Sequence, residues 1–300
     1  MPDTVPYRGR FAPSPTGPLH FGSLLAATAS YLEARAHHGE WLLRMEDIDE
    51  PRNVAGSDGA ILRTLEAFGF KWHGEVLYQT QRKSAYAEIL QQLQQQNLTY
   101  RCTCSRSELQ ANHTSNIYPG RCADKQHAEE CEHAVRLRIE NRDIEFNDAV
   151  MGVFAQNLQT DVGDFIIRRR DGLFAYQLAV VVDDEYQGIT HVVRGADLLD
   201  STPRQIYLQQ CLQFNTPHYT HLPLAVNARE EKLSKQTYAQ EIRPNSNALI
   251  AALNFLGQAT PEELRYEPIS EIWKWAIPNW HVEKISKNNQ LPLEHYSSDR

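Results

Sequence analysis

No stretch of this chain stays apolar for anything near the ~18 residues that a membrane-crossing helix needs. Met1 to Arg10 lacks the basic start and the apolar centre of a secretory leader, so a cytoplasmic location is expected. There is no internal repeat and no long low-complexity tract; the glutamine-rich run at 91–96 reads as the polar face of a helix. Basic charge is in deficit. With 30 Lys and Arg against 38 Asp and Glu, the net charge is −8. That counts against a protein that coats nucleic acid, because phosphate contacts come from Lys and Arg. Arg168, Arg169 and Arg170 form one short basic run, which a solvated strand end explains as well as a binding surface does. The cysteines number five, an odd count without a leader, which argues against a disulfide framework.

What is present is ordinary globular composition, with 41% apolar and 23% charged residues. A chain of 300 residues suffices for one large domain with an insertion, or for two domains. Up to residue 100, strand and helix patterns alternate. Strands are expected at 8–12, 41–45 and 77–79, and helices at 22–37, 57–68 and 83–96. The first helix places Leu25, Ala29, Leu32 and Ala36 on one face, and the last places Ile89, Leu90 and Leu93. This alternation implies an α/β fold with a parallel sheet covered on both faces.

The segment 101–148 is rich in Cys, His and charge and only weakly periodic, and reads as an insertion between the halves 1–100 and 149–225 of one domain. Beyond it, 165–168 and 191–194 read as strands and Asp171-Gly172 as a hairpin turn. The run 173–182, with Val180, Val181 and Val182, reads as a buried strand. Thr202, Pro203 and Gln205 suggest a capping box opening a helix, with Cys211 as a small core residue inside it. In the last part, 226–300, helices are expected at 248–256, after a cap at Thr260, and at 271–277, with a frayed polar end.

Three groups of residues carry chemistry. The first is Arg10-Phe11-Ala12-Pro13-Ser14-Pro15-Thr16-Gly17-Pro18-Leu19-His20-Phe21-Gly22-Ser23, a strand running through a Pro/Gly turn into a helix. That geometry aims backbone N–H groups and the positive helix end at an anion. Gly22 permits close approach of a ligand, and His20 can donate to a phosphate oxygen. Read alone, the motif is also an ordinary loop with Ser23 capping the helix. The second is Lys232-Leu233-Ser234-Lys235, where two lysines beside a serine suit a triphosphate, although exposed basic loops are common. The third is Cys102-x-Cys104 followed by Tyr118-x-x-x-Cys122. Three thiolates suit a closed, structural, four-coordinate metal site whose fourth ligand comes from Tyr118, His113, His127, Cys131 or His133. General ligand chemistry favours Cys or His over a phenolate.

Together, the His-x-Gly loop and the Lys-x-Ser-Lys segment about two hundred residues later resemble the two signatures of class I aminoacyl-tRNA synthetases. Gly9 to Gly17, Arg44-Met45-Glu46-Asp47-Ile48-Asp49 and Val193-Arg194-Gly195-Ala196-Asp197-Leu198-Leu199 resemble its glutamyl branch. Ser23 stands where the usual motif has a second histidine, a variation common in that branch. The resemblance implies a Rossmann-like catalytic domain with a zinc-binding insertion and a short helical C-terminal part, without an anticodon-binding domain.

It also implies residue roles. Arg10 meets the glutamate side-chain carboxylate, a task suited to a planar guanidinium. Phe11, Ala12, Pro13 and Ser14 line the pocket, and Glu46 accepts the ammonium. Tyr176 and Arg194, at the ends of predicted strands, complete it. His20, Gly22, Lys232, Ser234 and Lys235 hold ATP, with His20 and Lys235 catalytic. Cys102, Cys104, Tyr118 and Cys122 hold one structural Zn²⁺ per chain; the tyrosine enters the set through the resemblance. Glu46, Asp47 and Asp49 also read as a plain acidic turn, and Tyr176 as a sheet residue.

The layout is similar to the short glutamyl-Q type paralogues, which load glutamate onto queuosine at the wobble position of tRNA(Asp). The partners implied are ATP with Mg²⁺, L-glutamate and queuosine-bearing tRNA(Asp), acting on a monomer. Three other readings stay open: a short enzyme charging tRNA(Glu), a nucleotidyltransferase and a non-catalytic RNA-binding paralogue.

Overall fold

The computed structural model describes residues 6–105, 107–109, 117–125, 131–227 and 242–293. The chain opens with β1 (Arg8–Phe11), α1 (Phe21–Ala36), β2 (Glu40–Met45), α2 (Ser57–Ala67), β3 (Leu77–Tyr78) and α3 (Lys83–Gln95). Next come β4 (Thr99–Cys102), β5 (Ala134–Leu137), β6 (Asp143–Asp148), β7 (Gly152–Asn157) and β8 (Phe165–Arg168). Then follow α4 (Tyr176–Tyr186), β9 (His191–Gly195), α5 (Thr202–Leu212), β10 (His218–Leu222) and β11 (Leu224–Val226). The last elements are α6 (Ser246–Phe255), α7 (Ile269–Ala276) and β12 (Gln290–Pro292).

The expected parallel sheet is present, with strand order β10-β9-β1-β2-β3 and every pairing parallel. Successive strands run outward from β1 in one direction, while β9 and β10 lie on its other side. The order therefore reverses between β1 and β9, and ligands of such sheets bind in the crevice outside the carboxyl ends at that point.

Side chains alternate across the sheet. Phe11, Trp41, Leu43, Met45, Val193 and Leu222 face α1, α2, α6 and α7 in one apolar core. Leu42, Val192 and Tyr219 face α3, α4 and α5 in the other. The C-terminal helices dock through tryptophans whose indole N–H groups are satisfied: Trp273 donates to the Phe68 carbonyl at 2.7 Å, and Trp280 donates to Glu33.

Strands β4, β5 and β8 form a three-stranded antiparallel sheet, and β6 and β7 form a hairpin. Of these five strands only β8 is expected from the sequence.

Four expectations need correction. The run 173–182 is not a strand: Tyr176–Tyr186 is helix α4. Leu178 through Asp184 are all buried, so no polar face marks the helical period, and three β-branched valines mimic a strand. Thr202 and Gln205 form no capping box; Thr202 accepts from Arg194, and Gln205 donates to Gln177 at 3.0 Å. Thr260 does not cap the next turn but bonds back to Asn254. Finally, within the expected frayed end Gln290–Pro292 pairs with β11, and 294–300 lie outside the described residues. Within α1, Ala36 lies exposed beyond the buried stripe of Leu25, Ala29 and Leu32.

Candidate active site

A cavity of about 510 Å³ opens outside the carboxyl ends of β1 and β9. Ten sequence-identified residues line it: Arg10, Phe11, Ala12, Pro13, Ser14, His20, Gly22, Glu46, Tyr176 and Arg194. The loop after β1 supplies the floor, and the Glu46 N–H donates to the Pro13 carbonyl at 3.0 Å, tying the end of β2 to that loop.

Arg10 and Arg44 sit on neighbouring parallel strands, Arg10 opposite Leu42 and Arg44 two residues further along on the same face. On the face away from Phe11, both meet Asp184 of α4. Arg10 Nε and Nη2 donate to its two carboxylate oxygens at 3.0 and 3.3 Å, and Arg44 Nη2 donates to Oδ1 at 2.7 Å. Among the described residues, Arg10 Nη1 makes no protein hydrogen bond, which leaves one edge of the guanidinium for an anion. Burial pushes the Asp184 carboxyl up, but Arg10 and Arg44 outweigh it and hold it below the usual range. Glu46 lies 3.5 Å from Arg44 Nη2, and here burial wins over the two guanidinium groups, raising the carboxyl above its ordinary value. A carboxylate so short of compensation gains from a bound cation.

Arg194, 5% exposed, is oriented by three partners. Its Nε donates to His221 Nε2 at 3.1 Å, its Nη2 to Thr202 Oγ1 at 2.8 Å and its Nη1 to the Tyr176 hydroxyl at 3.4 Å. His221 Nδ1 lies 2.6 Å from Asp148 Oδ2. Tyr176 begins α4 instead of ending a strand, and it is the helix that brings it over the cavity.

His20 is the N-cap of α1: its Nδ1 accepts from the Ser23 N–H at 3.3 Å, so His20 caps the helix and Ser23 does not. Accepting at Nδ1 leaves the neutral ring's proton on Nε2, a donor at a helix N-terminus beside the cavity. Lys232, Ser234 and Lys235 lie outside the described residues.

Of the acidic cluster, only Glu46 lines the cavity. Asp47 accepts from Thr80 N and Oγ1 at 2.9 and 2.5 Å, and Asp49 pairs with Arg169 at 2.9 Å. The arginine run is not simply solvated: Arg168 and Arg170 bond to backbone carbonyls of Gly172, Glu132 and Thr103.

A second site lies at the end of β4. The sulfurs of Cys102, Cys104 and Cys122 all lie within 4.8 Å of one another. The Tyr118 hydroxyl sits 3.3 Å from Cys102 Sγ and 3.6 Å from Cys104 Sγ. Three thiols and a phenol oxygen thus converge as a four-donor set that can hold a metal. Cys131 is exposed and outside this group, and His133 donates to the Cys131 carbonyl instead. His113 and His127 lie outside the described residues. Gly163 has φ of 70° and forms a bridge with Tyr118; a Cβ there would lie 2.8 Å from the Tyr118 nitrogen, so only glycine lets the two backbones meet.

Asp184, Arg44, His221, Asp148 and Thr202 escaped functional assignment from sequence. One signal was available: read as a helix, 176–186 puts Tyr176, Val180 and Asp184 on one stripe at four-residue spacing.

Residues 6–265 match the family model for the catalytic domain of class I tRNA synthetases (E and Q). The chain is 54% identical over 296 residues to the glutamyl-Q tRNA(Asp) synthetase of Dechloromonas aromatica (strain RCB), covering 96% of this chain and 98% of that protein. It is 50% identical over 289 residues to the protein of the same name from Neisseria meningitidis serogroup C, covering 94% and 98%. The solved glutamate-tRNA synthetase of Elizabethkingia anophelis superposes with a TM-score of 0.79 at 25% identity, covering 95% of this chain and 67% of that one.

Proposed function

The chain belongs to the class I tRNA synthetases of the glutamyl and glutaminyl kind, and from that membership we propose that it activates glutamate with ATP and transfers it to queuosine at the wobble position of tRNA(Asp). The observation that carries this reading is the convergence of Arg10, Arg194, Glu46 and Tyr176 on a single cavity beside a helix N-terminus. Arg10 and Arg194 complement carboxylates, and Glu46 complements an ammonium group, a charge pattern that suits glutamate.

In the first step the glutamate α-carboxylate attacks the α-phosphorus of ATP. Pyrophosphate leaves with the electron pair of the broken P–O bond, and glutamyl-adenylate forms. His20 Nε2–H stabilises the phosphoryl oxygens, and Lys232, Ser234 and Lys235 hold the triphosphate. In the second step a hydroxyl of the queuosine cyclopentene ring attacks the acyl carbon, loses its proton and releases AMP. Positioning and charge stabilisation suffice, so no dedicated general base is assigned. Mg²⁺ accompanies ATP as part of the substrate. As thiolates, Cys102, Cys104 and Cys122 would hold one structural Zn²⁺ together with the Tyr118 oxygen. The protein acts as a monomer in the cytoplasm.

The test is pyrophosphate exchange with each amino acid, with and without tRNA, followed by glutamate transfer to tRNA(Asp) with and without queuosine. Exchange with glutamate alone and transfer only to the queuosine-bearing tRNA are expected. Exchange that requires tRNA(Glu) points to a tRNA(Glu)-charging enzyme, and no exchange at all leaves a binding module.

A further inference from the structure

We propose that Asp148 and His221 form a buried positioning pair that fixes Arg194 in its substrate-receiving orientation; this rests on the glutamate-activating reading. Both side chains are fully excluded from solvent, and they come from two different strands, β6 and β10. Asp148 cannot swing, because its Oδ1 accepts from the backbone N–H groups of Val150, Met151 and His221 at 3.0, 2.9 and 3.1 Å. Its Oδ2 faces His221 Nδ1 at 2.6 Å.

The tautomer follows from the donor inventory. A guanidinium has only donors, so His221 Nε2 must accept from Arg194 Nε, and the ring proton must sit on Nδ1, donated to Asp148. Protonating Nε2 sets an N–H against an N–H and displaces Arg194. Burial and the Arg194 charge hold His221 below its ordinary pKa, and so in the accepting form. Asp148 stays ionised although burial opposes it, because His221 and the backbone donors outweigh that cost. With Nε bound to His221 and Nη2 to Thr202, the guanidinium plane is set relative to the cavity. A buried carboxylate bonded to a neutral imidazole adds little net stability over an apolar core, which leaves orientation of a site residue as its use.

The experiment uses the whole chain in glutamate-dependent pyrophosphate exchange, with glutamate and ATP varied separately, and a thermal melt on each variant. Asp148→Asn keeps the shape and most backbone bonds, but its amide donates toward Nδ1 and drives the ring proton to Nε2. The glutamate KM is expected to rise about 10- to 100-fold, the range for losing a partner that orients a site residue, with ATP KM and kcat near wild type. His221→Gln keeps an acceptor for Arg194 and is expected to raise glutamate KM much less than His221→Leu. That contrast carries the test where Asp148→Asn does not fold. A fall in melting temperature with unchanged glutamate KM, or an equal rise in ATP KM, overturns the pair's role. Wild-type protein that shows no exchange with glutamate overturns the functional reading itself, and the proposal with it.

Discussion

Asp184→Asn is the sharpest probe of the layer beneath the cavity. Asp184 is 6% exposed and receives three hydrogen bonds from Arg10 and Arg44, themselves 3% and 0% exposed. Removing its charge leaves two desolvated guanidinium groups with Glu46 and Asp183 as the remaining nearby carboxylates, and turns an amide donor toward one of them. Breaking a buried ion pair in this way costs about 3–5 kcal/mol. For a chain of this length that corresponds to a fall in melting temperature of roughly 5–8 °C. Arg10 also loses its bidentate anchor, so the glutamate KM rises.

The acid limb moves as well. The folded-state pKa of Asp184 is depressed, because the two arginines outweigh burial. Between the folded and unfolded values the unfolded chain binds the extra proton, so this contribution is complete above the unfolded value, ~3.9, and is lost as pH falls through the folded one. Wild type therefore loses stability below about pH 4 more steeply than the variant. Differential scanning fluorimetry from pH 3 to 8, with exchange kinetics at pH 7, measures all three effects. A variant that melts with wild type and keeps its glutamate KM refutes the view that Asp184 neutralises and places Arg10.

Glu46→Gln removes a charge-assisted bond worth about 1.5–3 kcal/mol, so glutamate KM rises roughly tenfold or more while ATP KM holds, as separate substrate titrations will show. Metal analysis of purified protein is expected to find about one zinc per chain; chelation then exposes backbone amides of residues 99–104 and 117–125 to hydrogen exchange before those of β1 and β2. Protein that is metal-free when isolated and equally protected there contradicts the four-donor site. Gly257→Ala forces a side chain into a position with φ of 77° and a Cβ 2.1 Å from the Lys284 carbonyl oxygen. It lowers the denaturant midpoint by an amount equivalent to at least about 1–2 kcal/mol, and an unchanged midpoint means the packing after α6 is not as described.

Much of the fold was legible where one face is buried and the other wet. Helix α3 shows this: Leu90 and Leu93 are buried, and the glutamines at 91 and 94 to 96 are exposed or nearly so. The parallel sheet followed from strand–helix alternation, and the residues lining the cavity followed from signature segments that each lie at a strand end or helix start. Helix α4 was misread because its burial on all sides erased the period that distinguishes helix from strand. The hairpin β6-β7 leaves only a brief alternation, Ile144 and Phe146 between Asp143, Glu145 and Asn147, too short to stand out from the polar stretch before it.

The amino-acid sequence by itself determined which residues are the candidates for chemistry: the arginine and carboxylate at two strand ends, the histidine opening a helix, and the clustered thiols. Those are local facts, set by a few neighbouring residues and the turns between them. The tertiary structure alone decided how those residues are held. Asp184 meets Arg10 across 174 positions of sequence, and His221 meets Asp148 across 73. Such partners leave no spacing signal, because a parallel sheet brings strand ends together from distant parts of the chain, and it is the crossing of its strand order that sets them around one cavity.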